Sequence, residues 1–426
     1  MKVEILSTGE KIKRARIYKG LTLRDICEEK ISVSKMSCIE NNKVTAEPWI
    51  LEYISEKLEL DLDYLMHDVK DQILENIKTF KSYKKNDSYS DNYVENALYN
   101  LEYAETYHYY DLACEILHLL FSYHLSKNNF DDLRVIIPRY YDLCQKSNDE
   151  LFQLKYYMDI AVYLSYNGEH SQAISYYSSV RKRLKELEVE DKSQLIRATY
   201  NECAALITIE DFETAKERRD ELAEIVDYSE TDILKGDIYH IFAILALYTN
   251  DQEKFKEYEA KTLHYYRDDA RRRAMCFQNF ALTMFKNNKR STAEIYINEA
   301  IEQYPKEDTE QLCSFLIIVV QTLLENEILE LAQKIIDEVL NYAINLDSTK
   351  FIESAYYYKA VILQMQNNYS SSETYMNLSL DALVKYGSKC KIYKRYLEMG
   401  EMYHKLGEIS ESIKFFNLAM QLEKKM

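Results

Sequence analysis

The residues best placed to recognise a chemical pattern fall between 32 and 43. If Ser32 opens a helix, Val33, Ser34, Ser37 and Cys38 share its outward face, with Lys35 and Lys43 nearby. Methyl, hydroxyl and thiol groups suit contact with thymine methyls and reading of groove shape, while ammonium groups neutralise phosphates. Gln, Asn and Arg are absent from the set, so bidentate hydrogen bonding to bases is not expected. Arg14 and Arg16 are further candidates for phosphate contact. Positioning such a face requires a neighbour helix, and LTLRDICEEKISVSKMSCIE, residues 21–40, supplies one. Thr22 can cap a first short helix with Leu23, Ile26 and Cys27 inward, and Ser32 a second with Met36 and Ile39 inward. The spacing of three within each helix puts one face of each into a shared core. The few residues between them allow only a sharp crossing, which frees the second helix for a major groove. A basic amphipathic helix precedes the pair, with Ile12, Ala15 and Ile17 as its apolar members. Two short helices follow, opened by Pro48 and Asp61. Five helices over residues 1–66 make a small domain whose implied partner is a double-stranded DNA operator, with Thr22 and Ser32 at its edge.

Charge confines that role to the head. Residues 1–43 hold ten Lys and Arg against six Asp and Glu, whereas the whole chain has 54 against 71, a net charge of −17. An acidic body repels phosphates and membranes rich in anionic lipid, so it needs another task. Seven Gly and three Pro in 426 residues leave little turn material for sheets, and 47% hydrophobic residues are ample for a large helical core. The expected fold class is therefore all-α. Eight cysteines are scattered singly with no CxxC pair, as expected for reduced thiols in a cytoplasmic protein. No secretory leader is expected before the first helix, and the apolar run SFLIIVVQTLL is too short to span a bilayer.

From residue 93 the chain repeats. In RYLEMGEMYHKLGEISESIKFFNLAMQLE, Tyr396, Met399, Gly400 and Tyr403 face one way, Gly407 turns, and Ser412, Phe416 and Ala419 face back. This resembles a tetratricopeptide repeat, with small residues where helices cross and large ones in the gaps. A second copy carries Ala161, Leu164, Gly168, Ala173 and Tyr177; a third carries Phe277, Phe280, Ala281, Met284, Ala293, Ala300 and Pro305. Weaker copies have expected turns near Asn128, Glu210, Asn250, Asn326 and Asn367. The array, 93–426, is expected to wind as a right-handed superhelix with a concave inner surface. Residues 67–92 read as a linker helix, DVKDQILENIKTF, and a polar hinge, SYKKNDSYSDN.

The segments GEKIKRARIYKGLT, SKMSCIENNKV and ILEYISEKLELDLDYLM resemble the phage-repressor-type helix-turn-helix of peptide-pheromone receptor regulators of Gram-positive bacteria, the RRNPP family. The Gly-free turn Glu29-Lys30-Ile31-Ser32 is similar to theirs, and helices longer than the standard repeat are usual in these receptors. The resemblance implies a quorum-sensing transcription regulator, a homodimer joined through its C-terminal repeats. It further implies a short linear signalling peptide whose backbone is held by asparagines of the inner helices. An amide can donate to a carbonyl and accept from an N–H at once. Asn201 falls on that surface if Cys203 and Ala204 form the helix crossing, and His240, Gln278 and Tyr357 occupy roughly equivalent places. The tyrosine strings at 107–110 and 356–358 read as packing between helices, and Arg271, Arg272 and Arg273 as a salt-bridged face.

No Gly-rich phosphate loop, zinc-helix His pair or nucleophile elbow is present, so no catalytic residue, metal site or cofactor is expected. A second reading stays open: a repeat adaptor that sequesters a signalling protein, with the DNA-binding head secondary.

Overall fold

The computed structural model describes residues 4–86, 89–229 and 231–425, and among them every regular element is a helix. Two compact units divide the chain, Met1–Thr214 and Ala215–Met426.

The first unit begins with the head: α1 (Thr8–Tyr18), α2 (Leu23–Cys27), α3 (Val33–Glu40), α4 (Pro48–Leu58) and α5 (Leu62–Met66). Each start follows from its cap. Ser7 and Glu10 satisfy each other's backbone N–H at α1, and Thr22 and Asp25 do the same at α2. The Ser32 hydroxyl accepts from Lys35 N at α3, Pro48 occupies the first turn of α4, and Asp61 caps α5. Ile12, Ile26, Cys27, Met36 and Ile39 meet Ile50, Ile54, Leu58 and Leu65 in one closed core. Ile17 departs from the expected set: it is 59% exposed, because α1 presents Ile12 and Ala15 inward and position 17 lies off that face. Gly9 is required rather than permitted. A β-carbon there would sit 2.2 Å from the Ile39 carbonyl, so only glycine lets α1 meet the end of α3.

Next come α6 (Val69–Asn86), α7 (Tyr93–Thr106), α8 (Tyr110–Ser126), α9 (Phe130–Ser147), α10 (Glu150–Tyr166), α11 (His170–Glu186) and α12 (Ser193–Thr208). The stretch expected as a linker helix packs as part of this array. Val69, Ile73, Ile77 and Phe80 of α6 are buried in one cluster with Tyr93, Ala97 and Leu101 of α7 and Leu117 and Leu120 of α8. The expected hinge includes residues 87 and 88, which lie outside the described residues.

Ile5 belongs to that cluster and not to the head's core. The chain before α1 therefore straps the head to the array. Ile5 N donates to the Tyr99 hydroxyl at 3.2 Å, and Leu6 exchanges two hydrogen bonds with the Gln72 amide at 3.1 and 2.9 Å. The buried Lys11 ammonium donates to the carbonyls of Tyr64 and His67 at 2.7 and 2.5 Å, fixing α1 on the end of α5.

The second unit holds most of α13 (Phe212–Ile225), then the pairs α14 (Asp232–Tyr248) and α15 (Gln252–Tyr265), α16 (Ala270–Lys286) and α17 (Arg290–Gln303), α18 (Thr309–Glu325) and α19 (Leu329–Asn345), α20 (Thr349–Met365) and α21 (Tyr369–Tyr386), and α22 (Lys389–Leu406) and α23 (Ile409–Glu423). One apolar cluster runs from Ala243 of α14 to Ile362 of α20, so neighbouring pairs share their core. Small residues sit at the crossings, as the repeats require: a β-carbon on Gly400 would meet the Phe416 ring at 2.8 Å, and one on Gly236 the Tyr266 ring at 2.4 Å. The last two pairs repeat one bond, Ser372 to the Ala360 carbonyl at 3.0 Å and Ser412 to that of Gly400 at 2.8 Å.

Turns explain the scarcity of glycine. Asn128, Glu210, Asn250, Asn288, Glu327 and Asn367 take positive φ between helices, as Gly168 and Gly407 do. Asparagine tolerates that region better than most residues, so it replaces glycine in the repeats. The turn expected near Asn326 comprises Asn326 and Glu327, with the positive φ at Glu327. No described helix is long and apolar enough to cross a membrane; SFLIIVVQTLL lies in α18, which buries Phe315, Leu316, Val319, Val320, Leu323 and Leu324 and exposes Ile318.

Candidate nucleic-acid and peptide sites

The face of α3 is set by what holds its other side. Met36 and Ile39 are buried, which leaves Val33 and Ser34 exposed and Ser37 and Cys38 partly so. The Ser32 cap at 3.2 Å and the Thr22 cap at 3.3 Å place both hydroxyls at helix starts, Ser32 beside this face. The turn between α2 and α3 contains Glu28 at φ 45°, an uncommon conformation for a residue with a side chain. Its carboxylate accepts from Lys57 and, at 3.1 Å, from the Tyr53 hydroxyl, so α4 holds the turn closed. These bonds keep Glu28 ionised below the usual carboxylate range.

The cations sort themselves. Arg16 is unavailable for phosphates: its guanidinium forms two bonds to the buried Glu40 at 2.6 and 2.9 Å and a third to the Leu21 carbonyl. Arg14 is exposed but bonded twice to Glu4, at 2.8 and 2.6 Å. Lys35 lies 3.0 Å from Glu47, whose other oxygen accepts from the Trp49 indole at 2.5 Å. Lys43 is exposed and makes no ion pair among the described residues. The sequence reading missed Glu47 and Trp49, which lie twelve and fourteen positions beyond Lys35 and reach it only because α4 folds back beside α3.

Between the head and the array, a cleft of about 450 Å³ is lined by Thr8, Gly9, Val44, Met66, Tyr107 and Tyr109, among others. Tyr107 thus lies at the head–array boundary.

The four residues expected to hold a peptide behave differently from one another. Asn201, on α12 in the first unit, is half-buried with no side-chain hydrogen bond among the described residues. His240, Gln278 and Tyr357 lie in the second unit. The His240 ring meets Phe280 edge to face at 5.3 Å, and its Nε2 is buried with no hydrogen-bond partner among the described residues. Burial pushes its pKa down to about 4. Gln278 is buried and donates to the Thr322 hydroxyl at 3.1 Å, so its amide is already committed to the contact between α16 and α18. The Tyr357 hydroxyl donates to Glu398 at 3.1 Å while Arg395 stacks 4.1 Å from its ring. Burial, then that carboxylate, raises its pKa.

Arg271, Arg272 and Arg273 are engaged within the fold. Arg272 pairs with Asp237 at 3.1 Å and Asp269 at 3.3 Å, Arg273 bonds Gln303 and the Tyr266 carbonyl, and Arg271 lies close enough to Tyr304 to hold its pKa down against burial. Charges inside the array are paired with equal care. Arg181 and Glu202, both buried, meet at 2.7 Å between α11 and α12. No cluster of three or more His, Cys, Asp and Glu arranged to hold a metal occurs among the described residues.

No family model matches the chain, and no curated protein matches it. Several solved structures are similar in arrangement. PlcR of Bacillus thuringiensis in complex with the peptide PapR7 and DNA is 20% identical, the match covering 61% of this chain and 94% of that one, with a TM-score of 0.35. The apo quorum sensor NprR of B. thuringiensis is 14% identical over 84% and 100% of the two chains, with a TM-score of 0.46. A Rap protein complexed with Competence and Sporulation Factor is 13% identical over 83% and 98%, with a TM-score of 0.47.

Proposed function

We propose that this chain is a transcription regulator whose head reads a DNA operator through α3 and whose repeats bind a short signalling peptide, as the RRNPP resemblance implies. One observation carries the reading: α3 is capped and anchored on one side while Val33, Ser34, Ser37 and Cys38 on the other remain open to solvent or nearly so. Any surface helix leaves one side open; what distinguishes α3 is that its open side carries methyl, hydroxyl and thiol groups with Lys35 and Lys43 beside it, after a turn that α4 holds closed. Lys43 supplies phosphate contact, and Lys35 joins once Glu47 releases it. Small heads of this kind gain affinity by pairing on two half-sites, so the regulator acts as a homodimer. The outer face of α23, where Ile409, Ile413 and Met420 are each more than half exposed, supports a C-terminal dimer contact.

The strap at Ile5 gives the body a hold on the head. In this reading, peptide binding shifts a head-to-body arrangement that Ile5, Gln72 and Tyr99 now fix. Asn201 takes part in peptide binding, since its amide is uncommitted and half-buried. The adaptor reading has one observation in its favour: of the basic groups near α3, Arg14, Arg16 and Lys35 all have carboxylate partners within the head. Footprinting of the full chain on a random-sequence DNA pool separates the two. Protection of a defined motif supports the regulator, and no protection supports the adaptor.

A further inference from the structure

Between α20 and α22 lies a cleft of about 230 Å³ lined by Glu353, Ser354, Tyr357, Tyr358, Lys391, Lys394, Arg395 and Glu398, with Leu383 of α21. Its composition is unlike the rest of this acidic chain. Three cations converge there, and Lys391 and Lys394 are exposed without an ion pair among the described residues. The floor is fixed. Buried Glu353 accepts from Ser379 at 2.9 Å, from the Tyr386 hydroxyl at 2.9 Å and from Arg395 at 2.9 Å, so its carboxylate is held in place by three hydrogen bonds. Glu398 is held differently. It is 40% exposed in its side chain, and among the described residues its hydrogen-bond partners are Arg395 Nε at 3.1 Å and the Tyr357 hydroxyl at 3.1 Å. The guanidinium and phenol therefore already grip one solvent-accessible carboxylate, on a side chain that can swing out.

We propose that this cleft binds a carboxylate of an acidic peptide, which displaces Glu398 from Arg395 and Tyr357 and is flanked by Lys391 and Lys394. The exchange replaces one monoanion by another, so the local charge balance against Glu353 is kept. A phosphate dianion would add a second negative charge beside Glu353, which the same cations do not offset as well. Arg is suited to planar carboxylates, and the Tyr357 and Tyr358 rings give apolar wall to the residue bearing the group. The proposal rests on the peptide-receptor reading above and names the chemistry of its ligand.

The test uses the immobilised full chain and three synthetic random heptapeptide pools read by mass spectrometry. One pool has free C-termini and all side chains, one has amidated C-termini, and one has free C-termini but no Asp or Glu. Wild type should enrich peptides from the first pool. The double variant Lys391→Gln/Lys394→Gln should lose that enrichment roughly tenfold or more, the change expected for a lost charge-assisted hydrogen bond. Lys391→Arg/Lys394→Arg should retain it. Glu398→Ala, which removes the internal competitor, should increase it, an effect of opposite sign that loss of folding cannot give. Retention of the amidated pool assigns the carboxylate to a side chain, and retention of the third pool assigns it to the C-terminus. Enrichment by wild type that neither lysine substitution nor Glu398→Ala alters overturns the site while leaving the peptide reading intact. No enrichment by wild type overturns the peptide reading itself. Thermal stabilisation by inorganic phosphate that is lost in the double lysine variant, without peptide enrichment, assigns the cleft to phosphate and also overturns the proposal.

Discussion

The head and the repeat array use polar residues in opposite ways. In the array, charged groups are turned inward and matched: Arg181 with Glu202, and Arg395 with Glu353, all buried. In the head one buried pair, Arg16 with Glu40, sets the angle between α1 and α3, and the other polar groups of α3 face outward with few partners. A buried charge pair adds little stability over apolar residues of the same volume, but it penalises every arrangement that separates the partners. At Arg181–Glu202 and Arg395–Glu353 the array uses polar residues to define one packing, whereas the outward hydroxyl and thiol groups of α3 remain available to a ligand.

At neutral pH the largest effect should come from breaking that inward matching. Glu202→Ala removes the carboxylate that buried Arg181 meets at 2.7 Å and should lower the stability of the full chain by about 1–3 kcal/mol in urea unfolding. Replacing both residues with Met and Leu should restore most of it. A cost no greater than that of a surface substitution would erase the distinction between array and head.

His240 makes the same point through pH. Its pKa is about 4 because burial disfavours the charged ring, against an ordinary value near 6.5. Above pH 6.5 the ring is neutral in folded and unfolded chains alike, so it contributes no pH dependence. As pH falls from 6.5 towards 4 the unfolded chain takes up the proton first, and stability should drop by on the order of 3 kcal/mol. His240→Gln should flatten this acid limb. An unchanged limb would place the ring in solvent.

Within the head, Gly9→Ala forces a β-carbon against the Ile39 carbonyl and should cost about 1–3 kcal/mol. Because the strain falls at the end of α3, DNA retention should weaken at every sequence. Smaller and more selective effects should follow on the open face. Ser34→Ala and Cys38→Ala should alter sequence preference in a DNA selection, whereas Lys43→Ala should weaken all sites and reduce the salt slope by about one. Equal loss at every sequence for all three would remove the base-reading role from α3.

Much of this was legible in the chain. Caps at Thr22, Ser32 and Asp61, the first-turn Pro48, and the inward residues Met36, Ile39, Ala173, Gly400 and Ala419 all act over three or four positions, the range that sequence spacing encodes. What escaped depends on partners distant in sequence. Gly9 matters because of Ile39 and Asn42, and Ile5 because of α6 and α7. Gln278 is committed by Thr322, 44 positions away, in another repeat. Lys35 looked free until α4 brought Glu47 beside it. For the four candidate peptide contacts, no local pattern could say which side chains already had a partner.

The central claim, that peptide in the repeats controls DNA reading by α3, is tested most directly by selection from a random-sequence duplex pool with the full chain. The selection is run with and without the heptapeptides that the chain itself retains. The account predicts enrichment of two related half-sites, lost with Ser34→Ala/Cys38→Ala, whose recovery changes at least several-fold when the retained peptides are present. Enrichment of no motif in either condition, or of a motif indifferent to both the α3 substitutions and the peptides, would contradict it.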